Sequence, residues 1–227
     1  MRKTTFPLGA LVLALCFAGP AAAGVWSKTG PNTLLFEGVI RLGDYDGFAL
    51  VFGPAIREIV VNSEGGVTSE AIRIGHAIAA GDIKVTVVEK CLSSCANYFF
   101  VAGRRREIRG GVVGYHGNVA ACFTGAFRDK VIAGWKERYN MSEEDIRRNL
   151  AEMDREMSEE ARLLRIMGVS QELFDRTCVD DKGMGDGGEY AFLLPTRLTF
   201  EKYGLWGIVG EQDPAVMKSL PWAYVLD

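Results

Sequence analysis

From residue 33 onward, short apolar runs alternate with amphipathic stretches, and Gly, Asp and Asn stand between them. LLFEGVI (34–40) reads as a strand, and REIVVNS (57–63) as a β-branched strand ending at the Gly65-Gly66 turn. GFALVF (47–52) is apolar but fits strand or helix equally. TSEAIRIGHAIAAG predicts a helix over 68–81, with Thr68 or Ser69 as cap, Ala71, Ile72, Ile74 and Ile78 at helical spacing, and Gly81 as stop. IKVTVVE (83–89) is the next strand, ANYFFVAG (96–103) the next helix, and GVVGYH (111–116) a third core strand. Strand, helix, strand, helix, strand with short links implies parallel βαβ units with right-handed crossovers.

Residues 126–176 change the pattern. Ile146, Leu150, Met153, Met157, Ala161 and Leu164 recur at intervals of three and four, behind a capping box at Ser142 and Asp145. A long amphipathic helix, with room for one break, is expected here; Gly168 stops it and Ser170 caps a short successor. After the Gly/Asp-rich stretch 180–188, YAFLL reads as a strand and LTFEKYGLWGIVG as a short helix, a turn and a closing strand. The class is α/β.

The N-terminus sets the expected compartment. Arg2 and Lys3, the apolar run Leu8 to Ala18 and the Ala21-Ala22-Ala23 end before Gly24 form a signal-peptide pattern. The run falls short of the roughly 20 residues a membrane helix needs. Residues 1–23 are therefore expected to be removed, leaving one domain over 24–227 that is periplasmic or secreted. Of 26 Lys and Arg, two leave with the signal, so 24 face 29 Asp and Glu, a net charge of −5. Such a balance asks for neither nucleic acid nor a membrane surface as partner. Four cysteines remain: Cys91, Cys95, Cys122 and Cys178. In an oxidising compartment they suggest two disulfides, and of three connectivities Cys91–Cys95 with Cys122–Cys178 is preferred. Their spacing, with two histidines, is a poor match to structural zinc, and the 180–188 stretch lacks the ordered spacing of a calcium loop. No metal or organic cofactor is expected.

Chemistry concentrates at two strand-to-helix junctions. NSEGGV (62–67) offers backbone amides with no Cβ in the way, and CLSSCAN (91–97) places Ser94 at a helix start. His116 ends the following core strand. A hydroxyl, an imidazole and two free amides together would serve acyl transfer; the plainer reading is a turn, helix caps worth about 1 kcal/mol each and a hydrogen-bonded strand-end histidine. His76 reads as structural, and Arg104-Arg105-Arg106 as a solvated helix end.

The order NSEGGV, CLSSCANYFFVAG, GYHG, EKYGLWGIV resembles the Clp protease proteolytic-subunit family within the ClpP/crotonase superfamily, over roughly residues 34–210. The resemblance implies stacked βαβ units and usually a homo-oligomer. It also implies oxyanion amides at Gly66 and Cys95, a nucleophile counted back from Ala102-Gly103 to Ser94, and His116 as general base; Tyr203-Gly204-Leu205 matches a late family turn. Glu64 replaces the family's Pro. The triad Asp position counts to Phe192, which leaves Glu189, Asp186, Asp180 and Asp181 as candidate orienters, or a Ser/His dyad. The expectation is a periplasmic, peptidase-like serine hydrolase acting on a peptide or protein. The alternative is an inactive ClpP-like envelope protein that binds a peptide or protein partner. A crotonase-like acyl-CoA enzyme would use the same amides, but coenzyme A is not expected outside the cytoplasm.

Overall fold

The computed structural model describes residues 24–177, 192–213, 216–217, 220 and 223–226. In chain order its elements are β1 (Val25–Gly30), β2 (Thr33–Glu37), α1 (Asp44–Val51), β3 (Glu58–Ser63), α2 (Thr68–Ala80), β4 (Lys84–Leu92), a π-wound helix (Cys95–Phe100), β5 (Arg105–Ile108), β6 (Val112–Gly114) and α3 (Val119–Cys122). There follow α4 (Gly125–Glu137), α5 (Glu143–Met167), α6 (Glu172–Thr177), β7 (Phe192–Pro195), α7 (Arg197–Lys202), β8 (Ile208–Val209) and β9 (Ala223–Leu226). The signal pattern, Cys178, Asp180, Asp181, Asp186 and Glu189 lie outside the described residues.

β1 and β2 pair antiparallel; from β2 onward the main sheet is parallel, in the order β1-β2-β3-β4-β5-β8. β4 serves two neighbours: Lys84–Val87 pair with β5, and Lys90–Leu92 pair with β6. The sheet therefore forks along β4, and the branch carrying β6 leads to His116. Ile59, Val61, Val85 and Val87 are fully buried in the two central strands, against Ala71, Ile74 and Ile78 of α2. Each of the Val and Ile side chains contributes about 1.5–3 kcal/mol relative to exposure.

The ambiguous GFALVF run is helical. Gly43 turns the chain at φ 92°, Asp44 and Asp46 occupy the first turn of α1, where negative charge suits the helix dipole, and Asp44 accepts the Arg41 amide at 2.7 Å. Phe48 then packs among Trp26 and Phe52, with Phe36 against the same indole. The long helical region breaks between α4 and α5, where Asn140 has φ 49°. Ser142 accepts the Asp145 amide at 3.1 Å, and Gly168 ends α5 at φ 68°. α2 lacks the expected side-chain cap: Val67 holds that position.

Arg104-Arg105-Arg106 is not a solvated helix end throughout, because Arg105 and Arg106 open β5. Arg106 is 5% exposed and donates to the carbonyls of Phe100 and Val101 at 2.9 and 2.7 Å, closing the preceding helix from below. Burial pulls its pKa down to about 10. No helix among the described residues is long and apolar enough to cross a membrane.

Candidate active site

The Gly-Gly turn is fastened on both sides. The Ser63 hydroxyl donates to the Gly38 carbonyl at 2.7 Å and accepts the Gly65 amide at 3.1 Å. Ile40 donates to the Gly65 carbonyl and accepts from Val67, at 2.7 and 2.9 Å. The Gly66 amide is left without an acceptor among the described residues. Glycine is required at both positions: at φ 88° a Cβ on Gly65 would stand 2.5 Å from the Leu92 carbonyl oxygen and 2.8 Å from the Ser94 nitrogen, and one on Gly66 would stand 2.1 Å from the Ile40 oxygen. Glu64 faces outward, 2.6 Å from Lys90 Nζ.

Beside this turn, β4 passes into the π-wound helix through Ser93, whose φ of 54° lies in the left-handed region. A non-glycine residue there costs about 1–3 kcal/mol unless its surroundings hold it. They do: the Ser93 amide donates to Gly114 at 3.0 Å, its carbonyl accepts from Asn97 at 2.9 Å, and a Cys91–Cys95 disulfide closes the turn. The conformation aims the Ser93 hydroxyl at His116 rather than into the helix, a geometry similar to the sharp strand-to-helix turns that carry nucleophilic serines.

Ser93 Oγ and His116 Nε2 share a hydrogen bond at 2.6 Å. Ser94, the serine counted from the helix end, does not meet His116: it is 4% exposed, and its hydroxyl donates to the Gly66 carbonyl at 2.9 Å and lies 3.4 Å from Thr68 Oγ1. The count assumed that the imidazole meets the serine opening the helix, whereas the left-handed turn presents the residue before it. The backbone amide following the hydroxyl that meets His116 is accordingly that of Ser94, with Cys95 one place further along the same first turn. Burial pulls the His116 pKa below its ordinary value near 6.5, against a smaller opposing contribution from its own backbone. Burial thus favours the neutral imidazole, the form able to take a proton.

Phe192, at the position counted for a triad Asp, packs edge-on against the His116 ring, with centroids 5.1 Å apart. β7 is brought there by paired backbone hydrogen bonds between Tyr115 and Leu193, at 2.9 and 2.7 Å. Cys122 is disulfide-bonded, and its expected partner Cys178 is not among the described residues. His76 lies away from this site, its Nε2 2.9 Å from Glu159 across the α2–α5 contact.

Ser93 and His116 line a cavity of about 600 Å³. Its walls include Tyr98, Val119, Phe123, Phe127 and Met153, and no Asp, Glu, Lys or Arg side chain lines it among the described residues. Tyr98 belongs to the π-wound helix, and the other walls come from α3, α4 and α5 or their ends, where the resemblance quotes no motif. No cluster of His, Cys, Asp and Glu among the described residues is suited to a metal ion. In chemical terms the arrangement offers a hydroxyl bonded to a neutral imidazole, unengaged amides nearby and an apolar recess.

No family model matches the chain, and no curated protein matches it. Among solved structures it is similar to a serine-to-alanine variant of the 1510-N membrane-bound stomatin-specific protease, at 12% identity and a TM-score of 0.42, over 85% of this chain and 95% of that one. It is also similar to a probable enoyl-CoA hydratase/isomerase from Mycobacterium abscessus, at 11% identity and a TM-score of 0.32, over 74% of this chain and 83% of that one. The described residues form an α/β fold with a mostly parallel sheet and the long helix α5. The chemistry rests on the residues themselves.

Proposed function

We propose that the protein is a peptidase-like serine hydrolase acting in the periplasm or outside the cell, with Ser93 as nucleophile and His116 as general base. The observation that carries this reading is the 2.6 Å contact between Ser93 Oγ and His116 Nε2 at the wall of an uncharged cavity. Ser93 Oγ attacks a carbonyl carbon while His116 Nε2 takes its proton; the amides of Gly66 and Ser94 receive the oxyanion. Collapse of the tetrahedral intermediate breaks the bond to the leaving group, which takes the proton back from His116. Water, activated by the same imidazole, then releases the acyl group from Ser93. The cavity favours a neutral, apolar group next to the scissile bond, since a charge there would lose hydration without a partner. The signal pattern and the disulfide-closed turn support a location outside the cytoplasm.

The second reading, a ClpP-like envelope protein that binds a peptide without cleaving it, draws on Phe192, an apolar ring where the family's orienting Asp is counted. Fluorophosphonate labelling of the oxidised protein, mapped by mass spectrometry, separates the two. Adduct on Ser93, retained in Ser94→Ala and lost in Ser93→Ala and His116→Ala, is expected. Absence of adduct from folded protein would move the conclusion to the binding protein; adduct on Ser94 would restore the helix-end count.

A further inference from the structure

Glu160 lies on the inward face of α5 and is 1% exposed. Its Oε1 accepts from the Tyr98 hydroxyl and, at 3.1 Å, from the Val119 amide; its Oε2 accepts from the Ala120 amide at 3.0 Å. Tyr98 belongs to the helix that begins just after Ser93, and Val119 and Ala120 open α3, three and four residues beyond His116. Asn97 adds a parallel tie, its Nδ2 donating to the Gly117 carbonyl at 2.8 Å. A single carboxylate therefore joins the segment leaving Ser93 to the segment leaving His116.

We propose that Glu160 is a positioning residue that sets the Ser93–His116 contact; its consequence for catalysis rests on the hydrolase reading above. Three donors converge on two oxygens, and no cation pairs with this carboxylate among the described residues. Burial raises its pKa, and the three donated hydrogen bonds oppose that rise. A carboxylate suits the site because both oxygens accept. Glutamine of the same length has one accepting oxygen, so its amide group must face a donor: either the Ala120 N–H, or Tyr98 and Val119. Glu160→Gln thus removes at least one bond at the start of α3 and frees the backbone next to His116.

Because the chain holds only two histidines, ring NMR reports on each separately. In the oxidised protein, Glu160→Gln is expected to move the His116 Nε2 resonance and leave that of His76 in place. Glu159→Ala, which removes the carboxylate facing His76, should do the reverse. The fluorophosphonate rate at Ser93 should fall roughly 10- to 100-fold in Glu160→Gln, the scale expected when a reacting group shifts by about 1 Å. Tyr98→Phe keeps both amide bonds and should give a smaller change of the same sign; it serves as the deciding variant if Glu160→Gln does not fold. Unchanged His116 resonances in a folded variant would overturn the positioning role. If wild-type protein takes no label, the hydrolase reading fails while the resonances still decide the positioning.

Discussion

Replacing Cys91 and Cys95 together by alanine tests whether the disulfide holds Ser93 in its left-handed conformation. Alanine is preferred to serine because both sulfurs are fully buried, and two new hydroxyls would each need a partner. The bridge joins residues four apart, so loop-closure entropy is small, about 2 kcal/mol. In a domain of this size that lowers the melting temperature by about 4–8 °C. The unfavourable φ of Ser93 carries about 1–3 kcal/mol that is relieved once the turn can relax, so the hydroxyl should leave His116 even though the fold persists. Labelling of Ser93 by a fluorophosphonate should then slow roughly 10- to 100-fold, while circular dichroism reports an unchanged helix and sheet content. A folded double variant labelling at the wild-type rate would refute the reasoning, because the backbone hydrogen bonds of Ser93 to Gly114 and Asn97 would be sufficient without the bridge.

Gly65→Ala forces a Cβ against the Leu92 carbonyl and the Ser94 amide at an unfavourable φ. It should cost at least about 1–3 kcal/mol in urea unfolding and abolish labelling; wild-type values for both would show that the turn is not rigid. Labelling of Ser93 should be full at pH 7 and fall with acid, since burial places the folded pKa of His116 below 6.5 and protonation removes the base. The same depression favours proton uptake on unfolding, so its stabilising share is complete above pH 6.5 and lost as pH falls through the folded pKa; a labelling profile with its midpoint above 6.5 would contradict the burial argument. Arg106→Met removes the donor to two buried carbonyls and should lower stability by roughly 2–5 kcal/mol in thermal or urea melts, where a change under 0.5 kcal/mol would mean water replaces the guanidinium.

Periodic apolar spacing made most of the scaffold legible. β3, β4, α2 and the capped start of α5 all lie where Ile, Val and the Ser142–Asp145 pair place them. What stayed hidden depends on the backbone or on distant neighbours. β5 escaped because RREI looks like a charged helix end until Arg106 is seen to turn inward. The choice between Ser93 and Ser94 is a matter of one φ angle, and two adjacent identical side chains carry no pattern that distinguishes them. Glu160 did leave a trace: it lies three residues after Met157 and four before Leu164, so a carboxylate interrupts the apolar stripe of α5. Phe192 could be counted to its position, but its packing against an imidazole could not.

The contacts around Ser93 differ greatly in how much chain each must close. The bridge that fixes its turn spans four residues, its bond to His116 spans 23, and the link from Tyr98 to Glu160 spans 62. Short closures cost less entropy and form earlier than long ones. Assembly of the site is therefore expected to be staged in time: the Ser93 turn can be set while most of the chain is still unstructured, His116 arrives with β6, and the Glu160 carboxylate of α5 comes last. On the hydrolase reading proposed above, the Ser93–His116 pair gains its support from α5 only once that most distant helix has docked, so a partly folded chain would carry the serine before its surroundings are complete.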